Sequence, residues 1–66
     1  MHTYRIKVQE IFGTTGSIIV NIQANTASDA GISARNEWCR QKRAIAHTKL
    51  SARVLKVDGE VREFNI

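Results

Sequence analysis

Polar and apolar residues alternate near both ends of this chain, and a single stretch between them carries a helical pattern. Tyr4, Ile6 and Val8 alternate with Arg5, Lys7 and Gln9. A period of two puts every second side chain on the same face, so the segment reads as a half-buried strand. Gly13, Thr14, Thr15 and Gly16 then read as a turn. Beyond it Ile18, Val20, Ile22 and Ala24 alternate with Ile19, Asn21 and Gln23, which predicts a second strand. The short connection makes the pair an antiparallel hairpin. Opposed side chains share a face, so an even register is required to bury one side. The expected pairs are Val8 with Val20, Ile6 with Ile22 and Tyr4 with Ala24.

A helix should start after Asn25. Thr26 can cap its free amides, and Asp29 sits in the first turn, where the helix dipole favours an anion. The expected inward stripe is Ala27, Ala30, Gly31, Ala34, Trp38, Gln41 and Ile45. Its first half is small, which allows a close approach to a sheet, and Trp38 fills the wider end. Gly31 costs about 1 kcal/mol against alanine inside a helix, and close backbone approach is the expected compensation. Lys42 and Arg43 suit a last turn, so the helix is expected to end near residues 44–46.

Leu50 to Val57 predicts a third strand and Glu60 to Ile66 a fourth, joined at Asp58-Gly59, a strong hairpin signal. A bulge at Gly59 would set Lys56 against Glu60, Arg53 against Glu63, Ala52 against Phe64 and Leu50 against Ile66. That register matches charge with charge and is the one expected. The fold class is therefore α+β, in the order β-β-α-β-β. A four-stranded sheet carries one helix packed on one face, in a single domain over residues 1–66. The helical crossover is expected to join parallel strands, and a β-grasp-like order, with the first and last strands central, fits these elements.

With 66 residues the chain has a thin core, about 60% of its unfolded surface being buried on folding. A deep catalytic pocket needs more scaffold than this. No nucleophile motif appears, neither histidine has a carboxylate near it in sequence, and no enzymatic activity or small-molecule substrate is expected. Cys39 is the sole cysteine, so no internal disulfide forms. Together with the lack of a recognisable signal segment, this makes the cytoplasm the expected compartment. The longest aliphatic run, Ile18-Ile19-Val20, falls far short of a membrane span.

Charge is unevenly spread. The segment from Arg35 to Lys56 holds Arg35, Arg40, Lys42, Arg43, Lys49, Arg53 and Lys56, opposed by Glu37 alone. An anionic partner is the functional expectation. Arg35, Asn36, Arg40, Lys42, Arg43 and Lys49, on the helix and the loop after it, are the candidate nucleic-acid-binding residues. Asn36, Arg40 and Arg43 have the spacing of a helix face that enters a groove. Arg5 and Lys7, on the sheet, are expected to matter less. No helix-turn-helix partner precedes the helix, and the outer sheet face lacks aromatic residues for stacking bases.

That outer face is expected to carry Arg5, Lys7, Gln9, Ile11, Ile19, Asn21, Gln23, Arg53, Leu55, Val57, Val61 and Glu63. Ile19, Leu55, Val57 and Val61 are candidate interface residues, most simply for a homodimer. Ile32 and Cys39 are placed on the helix's outer side. Cys39 has Arg35 and Arg43 four residues either way, yet reads as an inert, partly buried thiol. His2, Cys39 and His47 match no zinc spacing, so neither metal nor cofactor is expected. The leading reading is a small basic nucleic-acid-binding module. The alternative is a protein-interaction module, an adaptor or an inhibitor of a larger cellular machine, acting through the exposed aliphatic surfaces.

Overall fold

The computed structural model describes residues 1–12, 16–42 and 49–66. The elements are β1 (His2–Glu10), β2 (Ser17–Ala24), α1 (Ala27–Lys42), β3 (Leu50–Val57) and β4 (Glu60–Asn65). They form one antiparallel sheet in the order β2-β1-β3-β4, with α1 packed across β2, β1 and β3. The β-β-α-β-β order and the single covered face are as the sequence predicts. The strand order is not β-grasp-like. β1 and β3 are central, while β4 lies at the edge. β2 and β3 do run in the same direction, with β1 between them. Residues 13–15 of the expected turn, and the expected helix end at residues 44–46, lie outside the described residues.

The first hairpin keeps the predicted parity but is shifted by two residues. Tyr4 faces Ile22, Ile6 faces Val20, and Val8 faces Ile18. This register opposes three pairs of large apolar side chains, whereas the expected one leaves Ile18 opposite Glu10. Thr26 caps α1 as predicted, accepting from the Asp29 N–H at 3.2 Å.

Tyr4, Ile6, Val8, Ala24, Ala30, Ala34, Trp38, Ala52 and Val54 form the buried core. Gly31 is also buried. A Cβ there would stand 3.1 Å from Arg35 Nη1 and from Ile66 Cδ1, so the missing side chain makes room for the chain's last residue. Trp38 fills the wider end and donates Nε1–H to the Gly16 carbonyl at 3.3 Å, leaving no orphaned indole. Gln41, expected to point inward, is exposed instead and donates to Glu37. Cys39, placed on the outer side of the helix but read as partly buried, is half-buried against the core. Ile45 lies outside the described residues.

The second hairpin overturns the charge-matched register. Asp58 and Gly59 both have positive φ, 50° and 85°, the signature of a type I′ two-residue turn. That turn sets Val57 opposite Glu60 and Lys56 opposite Val61. The ladder then slips at Leu55, so that Val54 faces Phe64 and Arg53 faces Asn65. A matching slip separates β3 from β1, with Arg5 opposite Lys56 but Ile6 opposite Val54. Against β1, Leu55 is the extra residue of a bulge, whereas against β4 it stands alone opposite Arg62 and Glu63. Its physical consequence is a change of parity along β3. Ala52, Val54 and Val57 all turn toward α1, and Val57 packs against the core. Val57 is therefore not an outer-face interface residue, because the bulge carries it to the other side.

Candidate polyanion-binding face

The sheet surface away from α1 is built from residues that alternate with the core. The register aligns them in rows across the strands. One row runs Asn21, Arg5, Lys56, Val61, and the next runs Ile19, Lys7, Arg53, Asn65. Arg5 thus stands directly opposite Lys56, and Lys7 directly opposite Arg53. Facing residues on adjacent strands have Cβ atoms about 5 Å apart, and like charges so placed repel. Four cations occupy a block about 5 Å wide and 7 Å long on the two central strands.

Among the described residues no carboxylate forms an ion pair with any of these four cations. Among the described residues the ion pairs are His2 with Asp58, Arg40 with Glu37, and Arg62 with Glu60. Arg53 donates to the Asn65 side-chain oxygen at 3.3 Å, a neutral partner. The register that forms sets Asn65 and Val61, rather than Glu63 and Glu60, against Arg53 and Lys56. The ladder also continues past the ends of β1 and β3. The Ile11 N–H donates to the Lys49 carbonyl at 3.2 Å, one step beyond the Glu10–Leu50 pair. Lys49 therefore extends the central β1–β3 track.

The helix residues are arranged differently. Arg35 is half-buried and donates Nη2–H to the Ile66 carbonyl at 2.6 Å. Arg40 grips Glu37, with Nε 2.9 Å from Oε2 and a second contact from Nη2 to Oε1. Gln41 adds a bond to the same carboxylate at 2.9 Å. These donors, Arg40 first and Gln41 second, hold the Glu37 carboxyl down at about 2 and raise Arg40 in return. Asn36 is exposed, Lys42 is half-buried, and Arg43 lies outside the described residues. The structure thus does not gather the helix candidates into one cluster. Two of the arginines are engaged within the molecule, and Lys49 belongs with the sheet.

The aliphatic candidates are also separated. Ile19 lies on edge strand β2, Val61 on edge strand β4, and the cationic columns of β1 and β3 run between them. Ile19 is 51% exposed and Val61 72%, while Leu55 is half-buried at the bulge. Arg5 and Lys7 were legible as outer-face residues from alternation alone. Their facing of Lys56 and Arg53 was not, since it depends on β1 and β3 being neighbours.

Among the described residues no cluster of three metal-ligating side chains occurs, and no helix is long and apolar enough to cross a membrane. His2, Val57, Asp58, Glu60 and Arg62 line a shallow cleft of about 190 Å³ at the β3–β4 turn. Its carboxylates are already matched to His2 and Arg62. Compared with known proteins, the chain matches no family model, no curated protein and no solved structure.

Proposed function

We propose that this protein is a small, non-catalytic nucleic-acid-binding module whose phosphate contacts lie on the open sheet face. One observation carries the reading: the like-charged facing pairs Arg5–Lys56 and Lys7–Arg53, which form no ion pair with a carboxylate among the described residues. Such a block costs folding stability through repulsion, and bound phosphates would remove that cost. Asn21, Gln23 and Asn65 beside it supply neutral donors for the same oxygens. This reverses the weighting expected from sequence. Arg5, Lys7, Arg53 and Lys56 take the main role, Lys49 extends it, and Arg35, Asn36, Arg40 and Lys42 act at most from the opposite side.

The alternative is a protein partner. For a homodimer the cationic columns argue against face-to-face packing, since two copies would bring eight positive side chains together. A protein partner for this face would have to be acidic. Binding to a labelled oligonucleotide across a salt series tests the reading. Four phosphate contacts give a log–log slope of about −3 on a single strand and about −3.6 on a duplex. Replacing Lys7 and Arg53 with alanine should reduce the slope by roughly half, whereas replacing Arg35 and Arg40 should leave it nearly unchanged. Weak, mutation-indifferent binding near 0.15 M salt would point to the protein partner.

A further inference from the structure

β2 is the one strand of this sheet without a charged residue: Ser17–Ala24 holds only aliphatic and neutral polar side chains. It lies at the edge, and among the described residues it pairs with β1 alone. That ladder runs without a bulge. Exposed edge strands are ordinarily protected by charges, prolines or bulges, because their unpaired backbone groups accept a further strand. The opposite edge is protected in this way: β4 carries Glu60, Arg62 and Glu63, and its ladder with β3 slips. β2 has none of these devices. Its helix-side residues are also incompletely covered. Ile18, Val20 and Ile22 are half-buried although α1 packs over β2, whereas Ile6, Val8 and Val54 on the central strands are fully buried. On the open side of the same strand Ile19 is exposed.

We propose that β2 pairs antiparallel with β2 of a second copy, joining two four-stranded sheets into one. A two-fold axis normal to the sheet keeps each face on its own side, so helix-side residues meet helix-side residues. Centred on Val20, it sets Val20 against its own counterpart and, on either side, Ile18 against Ile22 of the second copy. On the open side Ile19 meets Asn21 and Ser17 meets Gln23. No charges oppose each other along this seam. The nearest cationic columns, on the two β1 strands, stand three strand spacings apart, about 14 Å. That exceeds the screening length of about 8 Å at physiological salt. A second copy therefore fits this edge, although repulsion between cations excludes it from the open face. Assembly stops at two copies, because both outer edges are then β4. A symmetric pairing of β4 centred on Arg62 or on Glu63 opposes like charges. The axis also puts both cationic blocks on one side of the joined sheet, where a single polyanion can cross both. The seam stands without the phosphate reading, whereas the bridging polyanion rests on it.

Sedimentation at high micromolar concentration tests the seam, using wild type and two double variants at exposed positions. Ile19→Lys with Asn21→Lys opposes like charges across the seam and should yield monomers. Ile19→Glu with Asn21→Lys opposes unlike charges at the same places and should dimerise at least as strongly as wild type. Circular dichroism checks that both fold. A monomeric wild type overturns the proposal and leaves the edge to a strand of another protein. A dimer that both variants leave intact, a dimer that both abolish, or growth beyond two copies overturns it equally. Anisotropy with labelled single strands of about 6 and about 24 nucleotides tests the bridging, at protein concentrations where wild type is dimeric. Wild type should bind the longer strand at least about tenfold more tightly than the monomeric variant, despite that variant's added lysines, because the second block engages intramolecularly. The shorter strand should show no such advantage. Equal affinities for the longer strand overturn the bridging. Dimerisation without oligonucleotide binding overturns the phosphate reading and keeps the seam, and binding by a monomeric wild type does the reverse.

Discussion

Thr3 and Asp58 hold each other across the sheet: the Thr3 N–H donates to the Asp58 carboxylate at 2.9 Å, and the Asp58 N–H donates to the Thr3 carbonyl at 2.8 Å. His2 Nδ1 lies 2.6 Å from the other carboxylate oxygen. One residue thus shapes the turn, through its positive φ, and fastens it to the start of β1. Asp58→Ala should lower the urea midpoint clearly. Asp58→Asn should lower it less, because asparagine tolerates the left-handed conformation and its side-chain oxygen still accepts from Thr3. Equal midpoints for the two variants would mean that the carboxylate's charge, rather than its acceptor geometry, stabilises the turn.

Acid should weaken the fold through two carboxylates. Hydrogen bonds from Arg40 and Gln41 hold Glu37 at about 2, below its ordinary 4.5. The Thr3 amide, and then His2, lower Asp58 below its ordinary 3.8. A depressed folded-state pKa contributes stability that is complete above the ordinary value and lost as pH falls through the depressed one. Melting temperature should therefore hold steady from pH 7 to about 5 and fall between about pH 4.5 and 2. Glu37→Gln should flatten part of that fall, as melts at several pH values would reveal.

The bulge at Leu55 predicts opposite outcomes for two valines that sequence alone placed on one face. Val57→Lys forces a charge against the core and should cost about 1–2 kcal/mol. Val61→Lys lies on exposed surface and should change stability by less than about 0.5 kcal/mol. Chemical denaturation of the two variants measures the difference, and equal effects would contradict the change of parity.

Trp38 is the largest fully buried side chain. Trp38→Ala should cost about 3–5 kcal/mol, enough to unfold much of so small a domain. Trp38→Phe keeps most of the volume, removes the bond to Gly16, and should cost about 1–2 kcal/mol. Denaturation followed by far-ultraviolet circular dichroism checks both.

Arg53→Glu should separate stability from binding. It replaces a repulsive facing pair with Lys7 by an attractive one, which should stabilise the free protein by about 0.2–1 kcal/mol. On the proposed function it should also abolish most oligonucleotide binding. A variant that is more stable yet still binds would remove the sheet face from consideration.

Several features needed no tertiary information. Alternation in Tyr4–Gln9 and Ile18–Ala24 sets strand faces because side-chain direction reverses at every residue. The Thr26 cap and the small stripe of Ala30, Gly31 and Ala34 are equally local, resting on backbone donors and helical spacing. What the sequence determined by itself was therefore the element order, most of the core and the helix face. The tertiary structure decided which strands are neighbours. It placed β3 rather than β4 beside β1, and thereby stacked Arg5 on Lys56 and Lys7 on Arg53. It also decided the register of the last hairpin. Pairing charge with charge was locally attractive, but surface ion pairs contribute little. The type I′ geometry of Asp58-Gly59, together with the burial of Val54 and Val57, outweighs them. The uncompensated cations of the open face follow from that outcome. No local pattern encodes them, because they depend on contacts between residues some fifty positions apart in the chain.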